Sequence, residues 1–445
     1  MQRTCECEIC KNCQEFILPD GLLADFLEGR VSIIAGAGIS TESKAVLKHT
    51  FFEDVADELN LRHPSLPFPD LMEKYCRLPN GRYRLLDKIK ARFDHIDSFP
   101  ELNRSATKFH RELGTFFPVR NIVTTNWDVY FEEHCRATPF ITDPDLAFWE
   151  AANRRVLKLH GSITNLGSIV ATACDYKTCQ ERMNIGVLGG VLKTLLATQT
   201  IVFIGYSLSD FDFSAIYEFV TTQMGSMRKQ SYVVTPDPSE EERFRKAGLI
   251  PVITDGTHFL NQIKKHAVAK GYMLDDEMYD AASDLLERVR LEHRKLHRKF
   301  ELSSHPELIY AASYQDGIMH ALERVIELRG SGLYSQTGRN SVSIKGYLNW
   351  KKEKRRLGMY EDVAYIDGYV NALTYLLMNP RERKEVGIPF YYAFGINAVI
   401  FTLDDFRRAL NRWPAAHKAS LRRARRFSRR LSPGSSVEFH HLPWL

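Results

Sequence analysis

His160 and Asn126 are the residues whose types and positions best suit chemistry. His160 closes the apolar run Val156-Leu-Lys-Leu159 and is followed by Gly161 and Ser162. Histidine alone has an unperturbed pKa suited to proton transfer near neutrality. A lone histidine is commonly a structural residue; one that ends a strand in register with other strand-end sites is a candidate base. Asn126 follows Ile122-Val-Thr-Thr125 and leads into Trp127-Asp128. In open α/β sheets, ligands sit at that end of a strand. The plainer reading is an Asn-x-Asp turn capping the next helix, over 129–135, and Asp128 is suited to that as well.

Two glycine turns stand beside these residues. Val31 to Ile34 reads as a short buried strand that runs into Gly36-Ala37-Gly38, with Ser40 and Thr41 supplying N-cap chemistry for a helix. A strand, a tight turn and a helix start make a phosphate cradle. Glycine lets the backbone approach a pyrophosphate, and the unpaired N–H groups of the helix start face the anion. Ile201 to Ile204 is a fully buried strand that ends in Gly205 and Ser207, a second turn facing phosphate or ribose. Asp210 then caps a helix over 211–224.

The remaining elements must position these ends. Two further strands, 232–236 and 250–254, lead into an acidic helix start (Asp237, Glu240, Glu241) and into Asp255-Gly256. Strands alternating with helices at this spacing predict an α/β fold with a doubly wound, Rossmann-like parallel sheet. A short amphipathic helix over 15–28 precedes the first strand. From 42 to 112 the pattern is helical, broken at Pro64, Pro67, Pro69, Pro79 and Pro100. It reads as a helical insertion covering the mouth of the site, with little chemistry of its own.

Beyond 272 the chain turns mostly helical, with helices over 277–299, 307–329, 360–378 and 402–413. The stretch Gly330 to Ser341 superficially suggests a P-loop. It fails because the glycine spacing is wrong, Arg339 stands for the lysine and a helix precedes it. The organisation expected is an N-terminal segment (1–27), a catalytic domain (28–272) and a mostly helical C-terminal domain with a basic tail (273–445).

Composition is that of an ordinary soluble protein of 445 residues, 44% hydrophobic and 26% charged. With no run of 18 apolar residues and no apolar segment after Met1, neither a membrane span nor a secretory signal is expected, and the cytoplasm is the default. Eight cysteines then imply reduced or metal-bound thiols. Cys5, Cys7, Cys10 and Cys13 have a spacing able to wrap one structural zinc; an exposed, redox-labile tail is the other reading. The net charge of +5 is uneven: residues 1–274 carry 32 Lys and Arg against 34 Asp and Glu, and residues 275–445 carry 28 against 21. The excess gathers in Arg422, Arg423, Arg425, Arg426, Arg429 and Arg430. There Leu421, Ala424, Phe427 and Leu431 predict a docking helix whose basic face suits an acidic protein surface or nucleic acid.

Taken together, Gly36-Ala-Gly-Ile-Ser40, Thr125-Asn126-Trp-Asp128, Leu159-His160-Gly161 and Gly205-Tyr-Ser-Leu208 resemble, in order and rough spacing, the sirtuin NAD-binding fold over about residues 28 to 272. The resemblance implies cleavage of the bond between nicotinamide and ribose in NAD. By resemblance, Gly36, Ala37, Gly38 and Ser40 hold the pyrophosphate and neighbouring ribose. Asn126, flanked by Thr125 and Asp128, holds the nicotinamide ribose or the attacking water, and His160 is the base. Gly205 and Ser207 take the adenosine side, with Thr235 and Asp255 as further candidates; no catalytic metal is needed.

Departures from the family refine this. Protein-deacylating sirtuins continue the first motif with Gly-Ile-Pro-Asp-Phe-Arg, where Ser43-Lys-Ala-Val-Leu-Lys48 stands here. Of their two zinc-binding Cys-x-x-Cys pairs, only Cys174 and Cys179 have any counterpart, at the wrong spacing. Tyr206-Ser-Leu-Ser-Asp-Phe-Asp212 looks like the bacterial sirtuin-like NAD hydrolases of anti-phage defence. The reading implied is an NAD+ glycohydrolase with water as acceptor; the alternatives are an NAD-dependent protein deacylase and a non-catalytic NAD- or ADP-ribose-binding subunit. Such a hydrolase needs control, which implies a homo-oligomer, a partner ATPase or another activating protein.

Overall fold

A computed structural model describes Ile9 and residues 14–43, 46–61, 65–206, 211–396, 399–411, 417–429 and 439–443. The expectations for Cys5, Cys7, Cys10, Cys13, Ser207, Asp210, Arg430 and Leu431 fall outside the described residues. The chain divides into two compact units, 1–270 with 330–332, and 271–329 with 333–445.

The first unit is built on strands β1 (Val31–Ala35), β2 (Asn121–Thr124), β3 (Thr138–Phe140), β4 (Arg155–Lys158), β5 (Thr200–Ile204), β6 (Ser231–Thr235) and β7 (Ile250–Ile253). All pair in parallel, in the order β3-β4-β2-β1-β5-β6-β7. Helices cover both faces, so β1 and β5 are buried along their whole length; both read as apolar apart from Ser32 in β1 and Thr200 at the start of β5. The chain starts at the centre, builds towards β2 and β4, then crosses back to β5. The strand order thus reverses at β1, where a crevice opens beyond the strand ends. The register brings Ala35 level with Thr124 and Ile204, and Thr124 level with Lys158. The residues that follow all four strands therefore emerge together.

Three local expectations give way. The helix expected straight after Ser40 and Thr41 is absent; a single 3-10 turn, Ala37–Ile39, follows β1. The next helix, Phe51–Glu58, is capped instead by Thr50, which forms a capping box with Glu53. The Ser40 hydroxyl donates to Asp128 Oδ2 at 3.3 Å, a contact across 88 residues that no local rule anticipates. The first helix covers only Leu22–Leu27, because Pro19 disfavours helical geometry before it and Gly21 (φ 76°) sets its start. Edge strand β3, Thr-Pro-Phe, is too short to show a period and tolerates its proline only because it is an edge.

The insertion forms helices Phe51–Glu58, Phe68–Cys76, Gly81–Ser98, Pro100–Ala106 and Lys108–Gly114, with Pro69 and Pro100 in first turns where they cost no hydrogen bond. Leu85, Ile89, Phe93 and Ile96 recur at helical spacing, and the first three share a core with Phe51, Val55, Leu71, Met72 and Tyr75.

The second unit is helical: Glu277–Lys299, Leu308–Glu327, Thr337–Arg356, Tyr360–Leu377, Pro380–Val386, Leu403–Leu410 and Lys418–Ser428. The stretch that failed as a P-loop runs into the twenty-residue helix Thr337–Arg356, which the sequence reading left out. Leu308–Glu327 and Tyr360–Leu377 touch through reciprocal glycines. A Cβ on Gly317 would lie 2.0 Å from the Tyr365 carbonyl, and one on Gly368 1.9 Å from that of Tyr314. In Lys418–Ser428 the buried side is Ser420 and Ala424, with Phe427 packed beside it. Arg423 is drawn out of the basic face into an ion pair with Glu361, its Nε donating to Oε2 at 2.6 Å. Among the described residues, no helix is long and apolar enough to cross a membrane.

Candidate active site

The crevice at the strand reversal is a cavity of about 660 Å³, a size suited to a small ligand or cofactor. Gly36, Ala37, Gly38, Thr125, Asn126, Asp128, His160 and Gly205 line it together. Ser40 is fully buried and reaches the site through its bond to Asp128. Thr235 and Asp255 are not among the lining residues. The Thr235 hydroxyl accepts the Asp237 N–H, and Asp255 caps helix Gly256–Ala269 through the N–H groups of Thr257 and His258.

The glycine turn does a different job from the one expected. The N–H groups of Gly36 and Gly38 donate to the carbonyls of Ile204 (3.0 Å) and Gly205 (3.1 Å), so they are not held ready for an anion. A Cβ on Gly36 would lie 2.4 Å from the Gly205 oxygen. These glycines let two strand ends close on each other. Among the described residues, the Ala37 N–H donates to no acceptor, so it is the turn's open donor.

Asn126 has one hydrogen-bonding atom unspent. Its backbone N–H donates to Thr124 Oγ1 at 3.0 Å, and its Nδ2 donates to the Gly36 carbonyl at 3.3 Å. A carbonyl only accepts, so that contact fixes which end of the amide is nitrogen. Oδ1 is thereby left buried with no partner. A buried acceptor without a donor costs about 1–3 kcal/mol, and such a group on a cavity wall points to a ligand. The His160 ring is 4% exposed and rests edge-on against Tyr176, another lining residue, at 4.8 Å.

Asp128 is tied on every side. Its Oδ1 accepts the Tyr130 N–H at 3.2 Å, so it caps helix Tyr130–Cys135 while lining the cavity. Burial pushes its carboxyl up from the usual range, against the pull of Lys158, the Tyr130 N–H and the Ser40 hydroxyl. Lys158 is wholly buried, donating to the Asp128 carbonyl and to Glu132 at 3.0 Å. Burial likewise raises Glu132, opposed by Lys158.

The facing wall comes from the insertion, where sequence reasoning expected little chemistry. Phe51, Pro67, Phe68, Ile89, Arg92 and Phe93 line the cavity with Glu42 and Trp127. Trp127 stands edge-on to Phe51 (6.0 Å, 85°) and tilted against Phe68 (6.2 Å, 43°). The Trp127 Nε1–H and the Arg92 Nε–H are buried donors without partners. Arg92 is pinned by Asp54 (2.8 Å), Glu42 (3.1 Å) and the carbonyls of Thr41 and His49. Burial raises the Glu42 carboxyl, with Arg92 and the Phe51 N–H opposing it. The signal for Arg92 was weak: one cation adjacent to Phe93 of the buried stripe Leu85, Ile89, Phe93.

Residues 120–253 match the family described as the SIR2-like domain. The chain carries a SIR2-like domain. The match runs from the residue before β2 to the end of β7, so it contains Asn126, Asp128, His160 and Gly205 and begins after the Gly36 turn. Curated relatives include an NAD(+) hydrolase ThsA of Cytobacillus dafuensis, 27% identical over 50% of this chain and 48% of its own length. Defense-associated sirtuin 2 of Bacillus subtilis is 27% identical over 48% of this chain and 22% of its own. An NAD(+) hydrolase ThsA of Enterococcus faecium is 22% identical over 60% of this chain and 56% of its own. The chain thus spans about half the length of the two hydrolases and less of the sirtuin.

Proposed function

We propose that the SIR2-like domain hydrolyses the nicotinamide–ribose bond of NAD+ to nicotinamide and ADP-ribose, as a regulated effector of anti-phage defence. The observation that carries this reading is Asn126, whose unspent Oδ1 shares one cavity with His160. The printed names of the relatives, two NAD(+) hydrolases and a defence-associated sirtuin, support the same reading.

Nicotinamide in NAD+ is already a cationic leaving group, so its departure needs little acid catalysis. The site must hold a water, stabilise an oxocarbenium-like ribose and accept one proton. Asn126 Oδ1 accepts a hydrogen bond from that water or from a ribose hydroxyl, which orients it. His160 takes the proton, a contribution of about 10²–10⁴-fold. Phe51, Phe68 and Trp127 offer faces and edges to a planar cationic ring. The Ala37 N–H is a donor for the pyrophosphate. Control by assembly, as a cytoplasmic homo-oligomer or with an activating partner, keeps the isolated chain slow.

The test combines binding with product analysis. Calorimetry with NAD+ reports occupancy even in a slow enzyme, and chromatography of a concentrated incubation should show nicotinamide and ADP-ribose in equal amounts. Added acetyl-lysine peptide should remain intact; stoichiometric O-acetyl-ADP-ribose would establish the deacylase instead. Binding without turnover at any concentration or assembly state would leave only the binding-subunit reading.

A further inference from the structure

The second unit contains a cluster of histidines that the NAD chemistry does not use. His293 and His297 lie one turn apart on helix Glu277–Lys299, so both point to the same side. Their rings are 4.5 Å apart between centroids. Asp316, from the neighbouring helix Leu308–Glu327, and His440, more than a hundred residues later, close on the same point. The His440 ring stacks on that of His293 at 5.0 Å and stands 6.1 Å from that of His297.

We propose that His293, Asp316 and His440 form a binding site for a divalent transition-metal cation of the zinc class. One ligand atom from each of the three lies within 4.8 Å of the other two. Two imidazole nitrogens and one carboxylate oxygen are a donor set that zinc accepts readily. The separation of His440 Nδ1 from Asp316 Oδ1 is 3.3 Å. Ligands about 2.0 Å from a tetrahedral metal stand about 3.3 Å from each other, so this pair already has the length of a tetrahedral edge.

The surroundings orient the ligands as metal sites require. The Gln315 amide donates through Nε2 to the Phe390 carbonyl at 3.0 Å, which leaves its Oε1 as the atom facing His293 Nδ1, also at 3.0 Å. An amide oxygen only accepts, so His293 carries its hydrogen on Nδ1 and presents the lone pair of Nε2. Both residues are buried, Gln315 completely. Asp316 is held in the same manner: its Oδ2 accepts the His441 backbone N–H at 2.6 Å, which turns Oδ1 towards His440. His441 is in turn fixed by Asp362 Oδ1 at 2.9 Å. Asp316 is 1% exposed, and a buried carboxylate is costly unless it is paired or coordinates a metal. A bound dication would supply that partner and tie residues 439–441 to two helices. His440 is the exposed member and gives the cation its route in.

The N-terminal cysteines are removed from the measurement by using full-length protein with Cys5, Cys7, Cys10 and Cys13 changed to serine. After dialysis against a chelator, this protein is titrated with zinc chloride against a competing dye, and its melting temperature is followed. One zinc per chain and a rise in melting temperature are expected. Asp316→Asn and His440→Ala should each weaken zinc binding by more than about 100-fold, since losing an orienting partner alone costs about 10–100-fold. His440→Ala removes an exposed ring and should leave the far-ultraviolet circular dichroism unchanged, which separates lost ligation from lost folding. Equal zinc affinity in parent and His440→Ala, or no zinc bound by folded parent, would overturn the site and leave a histidine–aspartate contact.

Discussion

The two walls of the cavity are made from different kinds of structure. One is a row of strand ends, Gly36, Asn126, His160 and Gly205, each following a short apolar run. The other is the helical insertion, with Phe51, Phe68, Ile89, Arg92 and Phe93. The strand wall is positioned by backbone: hydrogen bonds from Gly36 and Gly38 to the end of β5 leave little room for adjustment. The helical wall is positioned by side chains packing on one another, and its Arg92 is held by four separate oxygens. Rigid strand ends suit groups that must meet a reacting bond, and a packed helical face suits recognition of the rest of a ligand. If so, damage to the two walls should differ in kind.

The largest effect is expected on the strand wall. Asn126→Ala or His160→Ala should lower NAD+ cleavage by about 10²–10⁴-fold while the protein still melts cooperatively. Nicotinamide release measured beside a melting curve checks this; a folded variant with near wild-type turnover removes that residue from the mechanism.

On the helical wall, Arg92→Met should act through binding and stability together. It leaves Glu42 and Asp54 facing each other without their cation. Loss of one partner from a fully buried pair costs about 3–5 kcal/mol. Because Asp54 is 39% exposed, solvent screening lowers the expected loss to about 2–3 kcal/mol. The affinity for NAD+ should fall at least tenfold with a smaller change in turnover at saturation. A variant that keeps its affinity and loses only turnover would reverse the roles given to the two walls.

Asp128 belongs to both functions of the strand wall, lining the cavity and capping a helix, and its titration separates them. Its carboxyl is raised in the folded protein, chiefly by burial. The protonated form is therefore the one the fold favours. The stabilisation is complete below the ordinary aspartate pKa and is lost as pH rises through the folded value, with each unit of upward shift equal to about 1.4 kcal/mol. Asp128→Asn retains the groups that meet Tyr130 and Ser40 and does not ionise. Its melting temperature should accordingly gain on wild type as pH rises from about 4. A gap that moves the other way would mean that Lys158 and the two hydrogen bonds outweigh burial.

The smallest effect is expected in the second unit. Arg422→Glu, Arg425→Glu and Arg426→Glu change exposed side chains of helix Lys418–Ser428 and should leave both the fold and NAD+ affinity unchanged. Arg423→Glu would face Glu361 with a like charge and should lower the melting temperature by several degrees. Equal behaviour of Arg423 and its neighbours would reduce this pair to an incidental surface contact.

What the sequence determined by itself was the central sheet and the strand-end residues. A parallel strand buried on both faces must be a short continuous apolar run, and the residue after it faces the crevice whatever the surrounding loops do. That logic is local, and it reached Asn126, Asp128, His160, Gly36 and Gly205. It missed β3, which is three residues long, and it misassigned Ser40, whose hydroxyl found Asp128 instead of a helix start. Only the tertiary structure decided which face of the insertion helices turns inward. It placed Arg92 among Glu42, Asp54 and two carbonyls, and Trp127 against Phe51 and Phe68. It also brought His440 to His293 and Asp316. Those contacts join residues tens to more than a hundred positions apart. A local pattern states which side of a helix is apolar; it does not state what that side will meet.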